Sequence, residues 1–224
     1  YEQSKFEKWL DDKFGDKIKD IAIYFSVVVA LAFSVVLFML LPHFLSSLVG
    51  RFTDNTLILN TLEGVIKLVI FMTYIILISR MKDIQRVFEY HGAEHKSIAC
   101  YESGAELTPA NAAKCSRLHP RCGTSFLLIV MIVSILIYAC LPWKNTSFGL
   151  RIVYRLLLLP VVAGVSYEIL KFAGRSKNKC VRILTMPGLL LQKFTTREPD
   201  ESQLEVAIAS LKAVLTGNKE DDKW

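Results

Sequence analysis

The chain has 224 residues, of which 52% are hydrophobic, with a formal net charge of +6 and a mean hydropathy of +0.37. This hydropathy is high for a water-soluble domain, and the charged residues lie mostly between the apolar segments. Such segregation is typical of a multi-span membrane protein, because a bilayer core tolerates few charges in each span. The basic residues flank apolar segments and do not alternate with aromatics along one surface. They therefore favour the lipid bilayer and its anionic headgroups as partners and disfavour nucleic acid.

The apolar segments predict an all-α integral membrane protein, with one helical domain over 1–224 and about four transmembrane helices. A helix rises about 1.5 Å per residue, so about 20 residues cross the hydrocarbon core. We expect Pro42 to end the first span and Pro160 to kink the fourth. On the second span, Glu63 and Lys67 lie one turn apart and can pair, which is typical of a snorkelling pair near a helix end. The predicted spans are 21–41, 57–79, 126–141 and 150–172.

Three further segments are predicted to be helices or short insertions outside the spans. Residues 1–20 alternate charged and apolar positions, as an amphipathic helix on the membrane surface does. Residues 181–194 are apolar but too short to span, and Pro187-Gly188 interrupts them, which suits an interfacial or re-entrant segment. Apolar residues recur at helical spacing from Leu204 to Leu215. We therefore expect a cytoplasmic amphipathic helix over 200–216, able to dock a protein partner.

Loop charge predicts the orientation of these spans. The connection between the first two spans carries a single Lys or Arg, Arg51, whereas the motif region 80–125 carries several, from Arg80 to Arg121. The positive-inside rule then places both termini and the motif region in the cytoplasm of a multi-pass plasma-membrane protein. Since that compartment is reducing, we expect no disulfides among the motif cysteines.

The motif region carries two pairs of metal-ligating residue types. His91 and His95 are four residues apart, so on a helix both imidazoles can bind one ion. His119 and Cys122 form a second pair at the short spacing that zinc knuckles use. Four such ligands are typical of tetrahedral zinc, which makes Zn, or another divalent metal, the predicted cofactor. The alternative is that the histidines only pack at the membrane interface and Cys122 is a small buried hydrophobe.

Carboxylates near these residues leave two kinds of metal site open. The run from His91 to His95 matches H-x-x-E-H, in which Glu94 would be the catalytic general base of a zinc peptidase. Glu168, near the inner end of the fourth span, is a candidate further ligand, and Glu102 is better placed as a partner of a ligand. A site with four protein ligands would be closed and structural, whereas a site with one water in place of a ligand could activate that water.

Five sequence segments together resemble the YqhQ-like family of bacterial membrane proteins, a family of unknown function described as predicted metal-dependent enzymes. They are YHGAEHKSIACYE, SRLHPRCGTSF, GVSYE, MPGLLLQKFTTREPD and QLEVAI. The resemblance covers nearly the whole chain from the first span onward. It implies a metal site on the cytoplasmic side of a bacterial plasma membrane. It also adds Arg117, Arg121, Thr124 and Ser125 to the motif, where the arginines could orient an anion or the ligands, or contact lipid headgroups.

Two hypotheses about function follow from this sequence. The first is a metal-dependent hydrolase that acts on a peptide or lipid at the inner leaflet, with Glu94 as the base and His91 and His95 as ligands. The second is a non-catalytic, zinc-stabilised scaffold that docks a partner in assembly, insertion or translation. A transporter is weaker than either, because four spans without an inverted repeat do not match the common transporter folds.

Overall fold

A computed structural model of the chain describes residues 16–142, 146–175 and 179–217. Within these ranges the regular structure is entirely helical, which confirms the predicted all-α class. The chain divides into two compact units, Tyr1–Asp54 and Asn55–Trp224. Most of the surface helix expected at 1–20 lies outside the described residues.

The first unit is one nearly continuous helical segment. It consists of α1 (Asp16–Val35), a π-helical segment (Val36–Leu40) and α2 (Leu41–Val49). Ile21–Val49, with 29 residues, is long and apolar enough to cross a membrane. Pro42 does not end this helix as expected, because it lies in the first turn of α2. A proline is tolerated at that position, since its missing N–H would have no helical partner there in any case.

The second unit contains the remaining described helices. Two of them, α3 and α7, are also long and apolar enough to cross a membrane, so these helices and Ile21–Val49 indicate membrane association. The other predicted span corresponds to α6, which is apolar but shorter, at 17 residues. The helices are α3 (Thr56–Ile78), α4 (Lys82–Glu102), α5 (Pro109–Ala112), α6 (Gly123–Ala139), α7 (Phe148–Arg175), α8 (Lys179–Thr195) and α9 (Glu201–Val214).

A buried ion cluster joins two of the apolar helices. The predicted pair forms, with Lys67 Nζ 2.6 Å from Glu63 Oε1, and Arg155 of α7 approaches the same oxygen to 2.5 Å. The Glu63 side chain is only 1% exposed, whereas the Lys67 side chain is 26% exposed, so the carboxylate of the pair is buried among the helices. Asn60, one turn before Glu63, donates from Nδ2 to the carbonyls of Ala139 and Leu141 at the end of α6. These contacts hold α3 against α6 and α7.

The shorter apolar segment near the C-terminus is a regular helix in the structure. Helix α8 runs through Pro187 and Gly188 to Thr195, where the sequence predicted an interruption. A Cβ atom on Gly188 would lie 2.7 Å from the Ser125 hydroxyl oxygen, so the absent side chain lets α8 pack closely against the start of α6. This contact brings the C-terminal end of α8 to the motif region.

A small polar-faced bundle forms from α4, α5 and α9. Its core contains Ala93 and Cys100 of α4, Ala112 of α5, and Leu204 and Ile208 of α9. Helix α9 lies within the predicted 200–216, and a capping box begins it. The Asp200 carboxylate accepts the Gln203 N–H at 2.8 Å, and the Gln203 side chain accepts the Asp200 N–H at 2.9 Å. The bundle therefore fixes the position of α4, which carries the histidine pair.

Candidate metal centre

Three side chains of the motif region converge on one point. We call His91, His95 and Cys122 the triad. Their potential ligand atoms all lie within 4.8 Å of one another. The two imidazole centroids are 4.4 Å apart, and His91 Nε2 is 3.3 Å from Cys122 Sγ. Zinc binds histidine nitrogen at about 2.0–2.1 Å and cysteine sulfur at about 2.3 Å, so these three side chains can reach one ion.

Backbone carbonyls fix the orientation of both histidines. His91 Nδ1 lies 2.7 Å from the Thr195 carbonyl oxygen, and His95 Nδ1 lies 2.7 Å from the Arg117 carbonyl oxygen. A carbonyl only accepts, so each Nδ1 carries the proton and donates it. The Nε2 atoms are then the ring nitrogens left for a ligand, and each offers a lone pair once it carries no proton. A hydrogen bond of this kind behind the coordinating nitrogen is usual for metal-binding histidine.

Cys122 caps the first turn of α6. Its sulfur accepts the Thr124 N–H at 3.4 Å and lies 3.2 Å from the Thr124 hydroxyl. Burial raises the pKa of Cys122, but hydrogen bonds from His91, His95 and Thr124 outweigh burial and lower this pKa to about 5. The contact with Cys122 in turn raises the pKa of His91, against the effect of burial. These shifts describe a thiolate that accepts a hydrogen bond from a protonated His91 Nε2. A bound metal would take the place of that proton, and the thiolate is the form of cysteine that binds metal.

The segment Thr195–Glu198, which begins at the last residue of α8, crosses α4 at Gly92. The Arg197 N–H donates to the Phe88 carbonyl at 2.8 Å. A Cβ atom on Gly92 would lie 2.0 Å from the Arg197 carbonyl oxygen, so only glycine permits this crossing. The crossing places the Thr195 carbonyl behind His91. Gly92 thus has a packing role within the histidine motif.

Two basic residues hold the loop that carries the Arg117 carbonyl. Lys96 is 5% exposed and its Nζ donates to the carbonyls of Ala113 and Cys115, both at 2.9 Å. Glu198 lies 3.0 Å from Lys96 Nζ and 3.3 Å from Arg117 Nε, and Arg117 also donates to the Thr196 carbonyl. The Arg117 side chain therefore anchors its own loop through Glu198 and Thr196. This anchoring holds the Arg117 carbonyl in place as the acceptor for His95 Nδ1.

His119, the fourth predicted ligand, lies beside the triad and is not part of it. Its ring centroid is 5.9 Å from that of His95. Its Nε2 contacts Glu102 Oε2 at 3.3 Å, and its Nδ1 accepts the Arg121 N–H at 3.3 Å. Burial lowers the pKa of His119, although the hydrogen bond to Glu102 opposes this effect. Both ring nitrogens are therefore engaged, and Arg121 completes the group through its ion pair with Glu102.

The backbone of His119 is held by a buried amide. Gln192 of α8 is fully buried, and its Oε1 accepts the His119 N–H at 2.8 Å. Its Nε2 donates to the His119 carbonyl and to the Ser125 hydroxyl, both at 2.7 Å. Gln192 thus binds the loop before α6 to α8.

The two remaining predicted carboxylates lie in different places. Glu94 is exposed and lines a cavity of about 360 Å³ that the triad also lines. Glu102 and His119 form another part of its wall. Glu168, by contrast, has a side chain that is 70% exposed and lies 4.0 Å from Lys171. The structure does not bring Glu168 to this cavity, because its exposed side chain lies on α7 and is not among the residues that line the cavity.

Sequence reasoning did not assign roles to several residues that shape this site. They are Gly92, Lys96, Gln192, Thr195 and Glu198. The segment MPGLLLQKFTTREPD, used for the family resemblance, contains three of them, but their contacts reach 67 to 104 residues along the chain. Their place in a family motif was the one indication of a role in the site, since local spacing does not predict contacts between positions so far apart.

The fold and the site together define a helical, membrane-associated protein with a candidate His/His/Cys metal centre. The chain belongs to the family described as "Protein of unknown function (DUF1385)", whose family model matches residues 2–217. It is 39% identical over 204 residues to the uncharacterized protein YqhQ of Bacillus subtilis (strain 168), which confirms the resemblance. That alignment covers 89% of this chain and 64% of the relative, so the chain spans less than two thirds of the relative's length. No solved structure matches the chain. Neither description names an activity or a metal.

Proposed function

We propose that the chain is a membrane-associated, zinc-dependent hydrolase whose triad supplies the three protein ligands. The observation that carries this proposal is the convergence of three ligand atoms within 4.8 Å of one another on the wall of a cavity. Three protein ligands and an open position are the pattern of catalytic zinc, whereas four protein ligands are the pattern of structural zinc. Bound there, zinc would polarise a carbonyl or phosphoryl group and acidify a water molecule.

The contacts of His119 support an open site. Its two ring nitrogens already bind Glu102 and the Arg121 N–H. To become a fourth ligand, His119 would have to give up its contact with Glu102, which is itself paired with Arg121. The fourth coordination position of the zinc, which faces the cavity, would then be open to water and substrate.

Glu94 is the residue that we assign as the general base. It immediately precedes His95 on α4, lines the same cavity as the triad, and is exposed to solvent. It can take a proton from a water molecule in the cavity while the triad keeps its own hydrogen bonds. General acid–base groups of this kind contribute about 10²–10⁴-fold to a rate. The substrate would be a lipid or peptide at the membrane surface, since the protein is membrane-associated.

The test uses the full chain in lipid nanodiscs, loaded with zinc. We expect one zinc ion per chain, with an X-ray absorption spectrum that fits two nitrogens, one sulfur and one oxygen. We expect Glu94→Gln to keep the zinc and to slow hydrolysis of nitrophenyl esters by about 10²–10⁴-fold. The matched control is Glu205→Gln, at an exposed position of α9. Full activity of Glu94→Gln, or a spectrum with four protein ligands, would contradict the proposal.

One observation favours a second candidate, the zinc-stabilised scaffold. His119 lies close enough to His95, at 5.9 Å between centroids, to complete a closed site if its ring turned away from Glu102. Zinc would then tie α4 to the start of α6, and the exposed Val206 and Val214 of α9 would offer a surface to a protein partner. His119→Ala separates the two candidates. The hydrolase keeps its zinc in this variant, whereas the scaffold loses zinc and with it part of its fold.

A further inference from the structure

An apolar groove runs between α4 and α9 beside the metal centre. It has a volume of about 450 Å³, within the range of small-molecule sites. Ile98 of α4 and Val206, Leu211 and Val214 of α9 form its apolar walls. The groove and the cavity at the triad share residues, since Glu94, Ile98 and Leu211 line both. The groove therefore opens next to the proposed general base.

A buried hydroxyl, that of Ser97, borders this groove. Ser97 is 1% exposed, and its Oγ has no hydrogen-bond partner within the part of the chain that the structure describes. A serine within a helix usually returns its hydroxyl proton to the carbonyl four residues earlier, and buried hydroxyls are normally bonded. Ser210, across the groove, follows that usual pattern through the Val206 carbonyl. Ser97 is thus ready to bond to a polar group that enters the groove.

The walls fit a hydrocarbon chain better than a peptide. The backbone N–H and C=O groups of α4 and α9 are used within those helices, so they cannot pair with an incoming backbone. A peptide would bring one donor and one acceptor with nearly every residue, and the apolar walls would leave most of them unpaired. A hydrocarbon chain needs no such partners, and a single polar group along it could bond to Ser97. The membrane that surrounds the apolar helices is a source of such chains.

We infer that the groove between α4 and α9 holds the acyl chain of a membrane lipid whose polar end reaches the triad. This inference rests on the proposed hydrolase and names its substrate class. The side chains of Val206 and Val214 are exposed in this structure, and an acyl chain in the groove would cover part of their surface. The groove limits the length of the acyl chain that can bind, whereas the cavity at the triad determines which group of the lipid reacts.

The test is a series of n-alkyl hydroxamates, from acetohydroxamate to decanohydroxamate, titrated into the zinc-loaded full chain in nanodiscs. The hydroxamate group chelates zinc, and the alkyl tail reports on the groove. We expect affinity to rise by up to roughly fourfold for each added methylene until the groove is full. Val206→Trp places an indole in the groove and should flatten this rise without changing the affinity for acetohydroxamate. Ala209→Trp, at an exposed position of α9 that does not line the groove, is the control.

A second measurement does not depend on the metal. A diazirine-bearing fatty alcohol, which has no zinc-binding group, should label residues of α4 and α9 that face the groove, and Val206→Trp should reduce that labelling severalfold. Labelling confined to the apolar helices would overturn the inference.

The outcomes separate the two proposals. If acetohydroxamate binds but longer tails gain nothing, the acyl groove is wrong and the hydrolase stands. If acetohydroxamate does not bind the zinc-loaded protein, the open metal position is wrong, and the labelling experiment decides the groove by itself. If leucyl-peptide hydroxamates bind more tightly than decanohydroxamate, the groove holds a peptide and the inference is wrong.

Discussion

Two polar clusters are buried in the second unit, and they differ in what their contacts leave free. In the ion cluster, Glu63 lies between Lys67 and Arg155, and one carboxylate oxygen contacts both cations. In the triad, by contrast, each Nδ1 is bound to a backbone carbonyl, so the two Nε2 atoms and the Cys122 sulfur face one another. The first cluster stabilises itself through opposite charges. The second concentrates electron-pair donors, which an added cation would bind.

Burial of polar groups alone therefore does not identify a functional site. A carboxylate that two cations hold inside apolar helices already has its partners and joins those helices to one another. In the triad, the thiolate is held by ring N–H groups whose protons a metal ion can replace, while the Nδ1 side of each ring stays bound to a carbonyl. The following predictions test that contrast.

The largest effect expected is on metal binding at the triad. Cys122→Ser removes the thiolate, and we expect the variant to lose stoichiometric zinc after purification in nanodiscs, measured by elemental analysis. Cys140→Ser, at an exposed free cysteine, is the matched control and should bind zinc as the unchanged protein does. Retention of one zinc ion per chain by Cys122→Ser would show that the triad is not the metal site.

The next effect concerns the ion cluster. Glu63→Gln leaves Lys67 and Arg155 beside a neutral amide, and loss of one partner of a buried pair costs about 3–5 kcal/mol of unfolding free energy. Chemical unfolding in detergent would measure this loss, and zinc content should stay unchanged. Glu168→Gln, at a side chain that is 70% exposed, should change stability by less than about 0.5 kcal/mol. Loss of zinc in Glu63→Gln would show that the two clusters are coupled, and loss of zinc in Glu168→Gln would restore Glu168 as a ligand.

A smaller effect is expected from the crossing at Gly92. Gly92→Ala places a Cβ where the Arg197 carbonyl now lies, so Thr195–Glu198 must move and the hydrogen bond from His91 to Thr195 is lost. Loss of such a supporting contact typically weakens metal affinity about 10–100-fold, which a chelator competition would measure. Gly149→Ala, at a glycine of α7 with nothing within 4 Å of a new Cβ, should leave zinc affinity unchanged. Equal affinities in the two variants would contradict the role of the crossing segment.

The smallest effect is the titration of the metal-free triad. The folded-state pKa of Cys122, at about 5, lies below the ordinary thiol value, so the thiolate adds stability at high pH. That contribution is complete above the unfolded-state pKa and disappears as pH falls through about 5. Ultraviolet thiolate absorbance, taken as the difference from Cys122→Ser, should stay nearly constant between about pH 6 and 8, where an ordinary thiol changes roughly 80-fold. A midpoint near the ordinary value would show that the histidines do not stabilise the thiolate.

Local spacing was enough to predict the helical parts of both clusters. Glu63 and Lys67 pair because residues four apart meet on a helix, and His91 and His95 share a face for the same reason. The sequence did not predict Arg155, which reaches Glu63 from 92 residues away on another helix. Nor did it predict that His119 would bind Glu102 in preference to joining the triad. Each of these outcomes depends on which helices pack together.

Composition and helical periodicity, which act over one or two turns, were enough to predict the membrane-associated, all-α character and the available ligand types, and the motif segments indicated the family. Which of those ligands meet depends on tertiary packing, since the packing of α8 on α6 and the crossing at Gly92 set the positions of the Thr195 carbonyl and of Cys122. The same packing aligned α9 with α4 and formed a groove whose walls come from residues more than 100 positions apart. Contacts between residues so far apart in the sequence depend on how whole helices pack, and a local sequence pattern does not predict that packing.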